Sequence, residues 1–309
     1  MRLFFPEHDL ALANGVKHFN PPRMALDLAA YGEELAPYWQ QAGEGPLPWG
    51  WDWDSRAELK RAGIPSSELP TDDELQEIRR LSSREQTLSI LLALRNLCPG
   101  IVLPERLDSP EGLDTYLVRH ESDTYVLKSP WSSSGRGLSL HPQQDSGALR
   151  RRGLHVIRQM RCIIAEPWYD KVQDFAMLFF VNRLRQVCFK GYSLFENDSR
   201  GTYLHGMLAS NGEIEATLCR QLNGTERPRE QLHEIRQTLK DWIGRAAAPF
   251  RSDFPLGWVG IDMMIVDKDG TRILHPCVEM NLRSTMGVVA RNMYDWDGKT
   301  GIFTFKKTK

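Results

Sequence analysis

Residues 275–287 read HPCVEMNLRSTMG, and this stretch decides how the chain is understood. Glu279, Asn281 and Arg283 stand two residues apart each time. Along an extended chain every second side chain points to the same face. The three groups would therefore project together, with roughly 6–7 Å between successive Cα atoms. A carboxylate, a neutral oxygen donor and a fixed planar cation in one row suit the handling of an anion. Just upstream, GIDMMIVDKDGTRIL (260–274) reads as a strand, a turn at DKDG, and the start of a returning strand. If DKDG and the following threonine make the connection, Asp262 falls opposite a residue between 275 and 279. Opposed residues on one sheet face are within side-chain reach. Asp262, Glu279 and Asn281 then offer oxygen donors without histidine or cysteine. That set suits a hard cation such as magnesium, which takes one or two carboxylates together with phosphates and water. A polar outer sheet face is the competing reading of the same carboxylates.

Two further stretches carry chemistry. In YVLKSPWSSSGRG (125–137), Lys128 ends a strand and a loop with Ser132, Ser133, Ser134, Gly135 and Gly137 follows at once. Glycines let a backbone approach phosphates, and loop N–H groups with serine hydroxyls can cradle them. A P-loop has its lysine after the loop, at a helix start, so both order and context exclude one here. A plain glycine/serine hairpin is the bland alternative. In IIAEPWYDKVQDF (163–175), a strand breaks at Glu166-Pro167, and Trp168, Tyr169 and then Asp174 follow. Such a break leaves backbone groups that an adenine edge could use. Pro167 has no N–H, so the donor must come from Trp168 or Tyr169. An edge-strand terminus would look the same.

The order of these segments is more specific than any one of them. Lysine, glycine-serine hairpin, E-P-W-Y break, strand aspartate and E-x-N-x-R together resemble the ATP-grasp superfamily, over roughly residues 116–290. VEMNLR is similar to the EMNxR of biotin carboxylases, and GIDMMIVDKDG…VEMN to the metal-binding hairpin of D-alanine–D-alanine ligases. The resemblance implies an ATP-grasp fold, two α+β lobes clamping ATP, preceded by a Rossmann-like α/β domain. It implies that Lys128 binds α- and β-phosphate oxygens and that Ser132 to Gly137 form the phosphate loop. Glu166 would accept from the adenine amino group, with Trp168 and Tyr169 at the hinge and Asp174 on the ribose hydroxyls. Asp262, Glu279 and Asn281 would bind magnesium, with manganese as a substitute, and Arg283 would hold the transferred phosphate. Lys190 and Arg119 are candidates for a second phosphate-binding cation. The loop has serines where the superfamily usually carries more glycines.

Composition sets the remaining bounds. The chain has 309 residues and a formal net charge of −1, so no global basic field recruits nucleic acid or a membrane. No signal-peptide or membrane-spanning segment is read, and five scattered cysteines lack metal spacing, which together give a cytoplasmic protein with reduced thiols as the expectation. The expected fold class is α+β, with an α/β domain over 1–105, an ATP-grasp N-lobe over 106–167 and a C-lobe over 168–309. Helices are expected after Thr71 or Asp72, after a Ser83/Gln86 capping box, and over 146–159 and 229–250. Glu7, His8 and Asp9 follow a first apolar stretch and are weaker candidates for holding an acceptor. Trp49, Trp51 and Trp53 read as packing anchors. The expected activity is an ATP-dependent ligase that joins a small carboxylate to an amine or thiol through an acyl phosphate, most simply forming a carbon–nitrogen bond. A small-molecule kinase and a non-catalytic ATP-binding regulator are the alternatives, and a homodimer is left open.

Overall fold

The structure, a computed structural model, describes residues 1–132, 137–198 and 201–305. Its first 104 residues hold five α-helices, α1 (His8–Asn14), α2 (Arg23–Gly32), α3 (Trp53–Arg61), α4 (Asp72–Leu81) and α5 (Glu85–Leu94). The first strand, β1, is Glu105–Leu107, so the Rossmann-like sheet expected here is absent among the described residues. Phe4 and Phe5, in the first apolar stretch, sink as aromatic plugs beside Trp39 and Trp49. Local capping chemistry sets the helix starts. Thr71 and Glu74 form a reciprocal capping box on α4. The box expected for α5 does not form: Ser83 Oγ takes the Glu85 amide, at 3.3 Å, and Arg84 precedes the helix without a side-chain cap.

A four-stranded antiparallel sheet follows, in the order β1-β4-β2-β3, from β2 (Tyr125–Lys128), β3 (Leu138–His141) and β4 (Ile163–Pro167). Helices α6 (Pro110–Arg119) and α7 (Ser146–Met160) bury Leu113, Leu117, Leu149 and Ile157 against it. The second sheet is six-stranded and antiparallel, in the order β10-β7-β6-β5-β8-β9. Its strands are β5 (Asp170–Val181), β6 (Val187–Asn197), β7 (Tyr203–Leu208), β8 (Gly257–Lys268), β9 (Thr271–Asn281) and β10 (Gly301–Phe303). Alternation along β5 divides its two faces. Phe175, Met177 and Phe179 join α4, α5, α8 (Asn211–Gln221) and α9 (Pro228–Ala247) in one core. Ala176, Leu178 and Phe180 join α10 (Met286–Asp297) and Trp39 and Trp49 in another. The helical first third is thus built into both cores of the larger sheet. Among the described residues no helix is long and apolar enough to cross a membrane, and the five cysteines are free thiols.

Candidate active site

The β8–β9 hairpin places its carboxylates by register. Asp262 pairs directly with Glu279, and Asn281 pairs with Gly260 on the same face. Asn281 Nδ2 donates to Asp262 Oδ2 at 2.9 Å. Burial, and then the facing Glu279 carboxylate, push the Asp262 carboxyl up to about 7. Asp174 lies two residues before Ala176, the β5 partner of Asp262, and so shares that face. Burial raises its carboxyl too, against the opposing pull of Lys171 and Asn197, which both bond it. Among the described residues no three His, Cys, Asp or Glu side chains make a cage of their own. Two facing carboxylates and an amide oxygen are nonetheless the donor set that a magnesium ion shared with phosphates requires, so the residues fit that cation.

Arg283 stands just past the end of β9 and is held by partners within the protein. Its guanidinium makes a forked pair with Asp9 of α1, at 2.9 and 2.8 Å, and Nη1 donates to the Ser284 carbonyl at 3.0 Å. Burial alone would raise the Asp9 carboxyl, but Arg283 outweighs it and holds the group below the ordinary carboxylate range. Three of the five guanidinium N–H groups are therefore committed within the protein, and two remain for a ligand. The cation that touches Glu279 is one that sequence reading passed over. Arg84, at the start of α5, donates to Glu279 at 2.9 Å, to Ser132 Oγ at 2.6 Å and to the Ser129 carbonyl at 2.8 Å. It is buried and joins the phosphate-loop segment to the hairpin.

The two ends of the loop pinch together. Ser129 donates its amide to the Gly137 carbonyl at 2.9 Å, and a Cβ at residue 137 would lie 2.4 Å from Ser132. Only glycine permits that approach. Ser133, Ser134 and Gly135 lie outside the described residues. Lys128 and Glu166 are both buried and form an ion pair across β2 and β4, so the two expected nucleotide contacts meet each other. The Trp168 amide donates to the Thr124 carbonyl at 3.0 Å, and its side chain is about half exposed. Tyr169 accepts the Val102 amide on its hydroxyl and packs its ring edgewise on His275. Lys190 is not brought to this cluster: its ammonium donates to Gln41 at 3.0 Å and lies over the Phe180 ring. Arg119 pairs with Glu105 on the surface.

A polar cleft collects these elements. Its walls include Asp9, Ser132, Glu279, Asn281 and Arg283, together with His8. His8 is fully buried, and its Nδ1 sits 2.7 Å from Asp52 Oδ2, while the other Asp52 oxygen caps α3. With Nδ1 donating to Asp52, Nε2 is the ring's lone-pair nitrogen, and no hydrogen-bond partner satisfies it. Glu7 turns away to Arg2. Of Glu7, His8 and Asp9, then, the last two line the cleft and Glu7 does not.

No protein-family model matches the chain, and no curated protein matches it. Solved structures do. A biotin carboxylase from Campylobacter jejuni, solved as an ATP-analogue complex, matches at 14% identity and a TM-score of 0.51, over 79% of this chain and 50% of that one. An N5-carboxyaminoimidazole synthetase from Staphylococcus aureus, complexed with ADP, matches at 13% identity and a TM-score of 0.45, over 81% of this chain and 60% of that one. D-cycloserine synthetase DcsG matches at 14% identity and a TM-score of 0.45, over 80% of each chain. This chain spans about half the length of the carboxylase.

Proposed function

We propose that this chain, which has the ATP-grasp fold, is an ATP-dependent ligase that activates a small carboxylate as an acyl phosphate and passes the acyl group to an amine. The observation that carries the reading is the cleft where Asp9, Ser132, Glu279, Asn281 and Arg283 converge from three separate segments. In this reading adenine lies by the β4–β5 break, where the Trp168 amide is already engaged and the Tyr169 amide is the donor. Asp174 takes the ribose hydroxyls, Lys128 the α- and β-phosphates, and the serine loop the outer phosphates. Magnesium, held by Asp262, Glu279 and Asn281, would supply charge neutralisation on the phosphates. The remaining N–H groups of Arg283 add fixed donors to the transferred group. Positioned charge of this kind carries most of phosphoryl transfer.

The substrate carboxylate attacks the γ-phosphorus, the bond to ADP breaks, and an acyl phosphate results. The amine then attacks the acyl carbon, phosphate leaves, and one proton must be removed from nitrogen. His8 Nε2 is the base, kept in the accepting tautomer by Asp52. A thiol acceptor would use the same groups, and a hydroxyl acceptor of the γ-phosphate would make the protein a kinase instead. Two measurements test the reading. Mg-ATP at 100 times its dissociation constant should stabilise the protein by about 2.7 kcal/mol, seen as a raised melting temperature, with GTP giving less. With ATP, the carboxylate and hydroxylamine, hydroxamate should accumulate. Equal shifts from ATP and GTP would remove the hinge assignment, and phosphate release without hydroxamate would favour the kinase.

A further inference from the structure

A second cleft, of about 270 Å³, opens between α1, α3 and α4 and shares Trp131 with the first. Arg79 of α4 lies in its wall. One side of the guanidinium faces the Trp131 ring, its central carbon 4.1 Å from the ring centroid. Gly15 lies equally close, since a Cβ there would fall 2.9–3.0 Å from Nε, Cζ and Nη2. Gly15 has φ +70 as the cap of α1, so a side chain at that position meets both backbone strain and the guanidinium. Nε donates to the Leu12 carbonyl at 2.6 Å, which fixes the plane of the group. Arg79 makes no ion pair among the described residues.

The other charged groups in the wall are already matched. Arg80 forms a forked pair with Glu77, and Glu85 is paired with Arg106. A second donor lies in the same wall. Trp53, at the first turn of α3, is more than nine-tenths buried, lines the cleft, and its Nε1 has no acceptor. A buried indole N–H without a partner costs free energy that a ligand oxygen would recover. Burial also draws the Arg79 guanidinium below its ordinary range, and no carboxylate offsets the shift.

We infer that this cleft is a carboxylate-binding subsite, in which the terminal nitrogens of Arg79 grip one carboxylate and Trp53 Nε1 donates to the same anion. A guanidinium held flat between a ring and a glycine presents its fork in the geometry that a carboxylate matches with two parallel bonds. Because Trp131 and the adjoining Ser82 and Ser83 connect the two clefts, the inference rests on the proposed ligase reading and names its substrate class. The substrate has two polar ends, a carboxylate anchored on Arg79 and a reacting group that extends past Trp131 to Glu279 and Arg283.

Calorimetric titration with acetate, succinate and glutamate, on the parent and on Arg79→Gln, Arg79→Lys and Trp53→Phe, tests this. Each preparation is also scored for its Mg-ATP melting shift. Expected are binding of at least one two-ended acid, loss of ten-fold or more in affinity in both Arg79 variants, a several-fold loss in Trp53→Phe, and an unchanged Mg-ATP shift throughout. Trp53→Phe keeps the aromatic packing and so still answers if Arg79→Gln folds poorly. Equal affinity in Arg79→Lys and Trp53→Phe, or no binding of any acid by a parent that responds to Mg-ATP, overturns the subsite and leaves the ligase reading standing. Arg79-dependent acid binding by a parent that ignores Mg-ATP supports the subsite while the ligase reading fails.

Discussion

His8 shows how much one residue's meaning depends on a distant one. In sequence it is a histidine in a loop-like PEHD, and its partner Asp52 is 44 residues away. Together they hold an imidazole with one nitrogen fixed and the other turned to lone-pair duty. Replacing His8 by Gln keeps polarity and removes the base, so turnover should fall by roughly 10²–10⁴-fold, the usual contribution of a positioned proton acceptor. The Mg-ATP melting shift should persist. A variant with parental turnover would make the dyad a structural cap only. Legibility at this scale was uneven for a physical reason. Glu279, Asn281 and Asp262 could be grouped because a strand's two-residue period and a short turn fix their neighbours. Nothing local ties Asp9 to Arg283, or Arg84 to Glu279, since both contacts cross elements far apart in sequence. The guanidinium expected to grip phosphate therefore turned out to grip Asp9 first.

The β8–β9 hairpin carries two groups that titrate in opposition. Burial, reinforced by Lys128, holds the His275 imidazole down at about 4, although Glu166 partly offsets this. The unfolded chain takes up that proton near pH 6.5, so the folded state loses stability as pH falls from about 6.5 to 4, by roughly 3 kcal/mol. The Asp262 carboxyl, raised to about 7, works the other way: its contribution is present below about pH 4 and is lost as pH rises through 7. Denaturant midpoints at pH 7.5 and 4.5 separate them. His275→Leu should flatten the acid-side loss, and Asp262→Asn should flatten the loss above neutrality. A His275→Leu protein as acid-labile as the parent would locate the titration elsewhere. At this scale strands and helices were read well where the pattern was long, as for β8, β9, α7 and α9. Helices α6, α8 and α10 went unread, although Ser109-Pro110, Ser210 with Glu213, and Thr285 mark their starts. Their apolar faces are short and mixed with polar residues, so periodicity alone gave no warning.

The whole molecule differs most from the sequence expectation in its first third, where apolar runs such as LFF fit a strand as well as a buried coil. Those residues wall the larger sheet, with Leu75, Ile90, Leu91 and Leu94 sharing a core with Phe175 and Val259. Leu94→Ala should cost about 2–5 kcal/mol in a single cooperative unfolding transition that melts both the helices and the sheet. Two separated transitions would show that the helical third unfolds by itself. The same arrangement gives Arg84 a role that concerns exchange rather than support. Glu279 already holds a resident counter-ion tethered through α5, so a divalent cation arriving there must compete with a charge that no dilution or dialysis can remove. The chain carries its own antagonist for that position. Arg84→Met should tighten Mn²⁺ binding measured by calorimetry without nucleotide, and should make that binding less endothermic. Unchanged affinity would mean that the guanidinium and the metal never contend for the same oxygens.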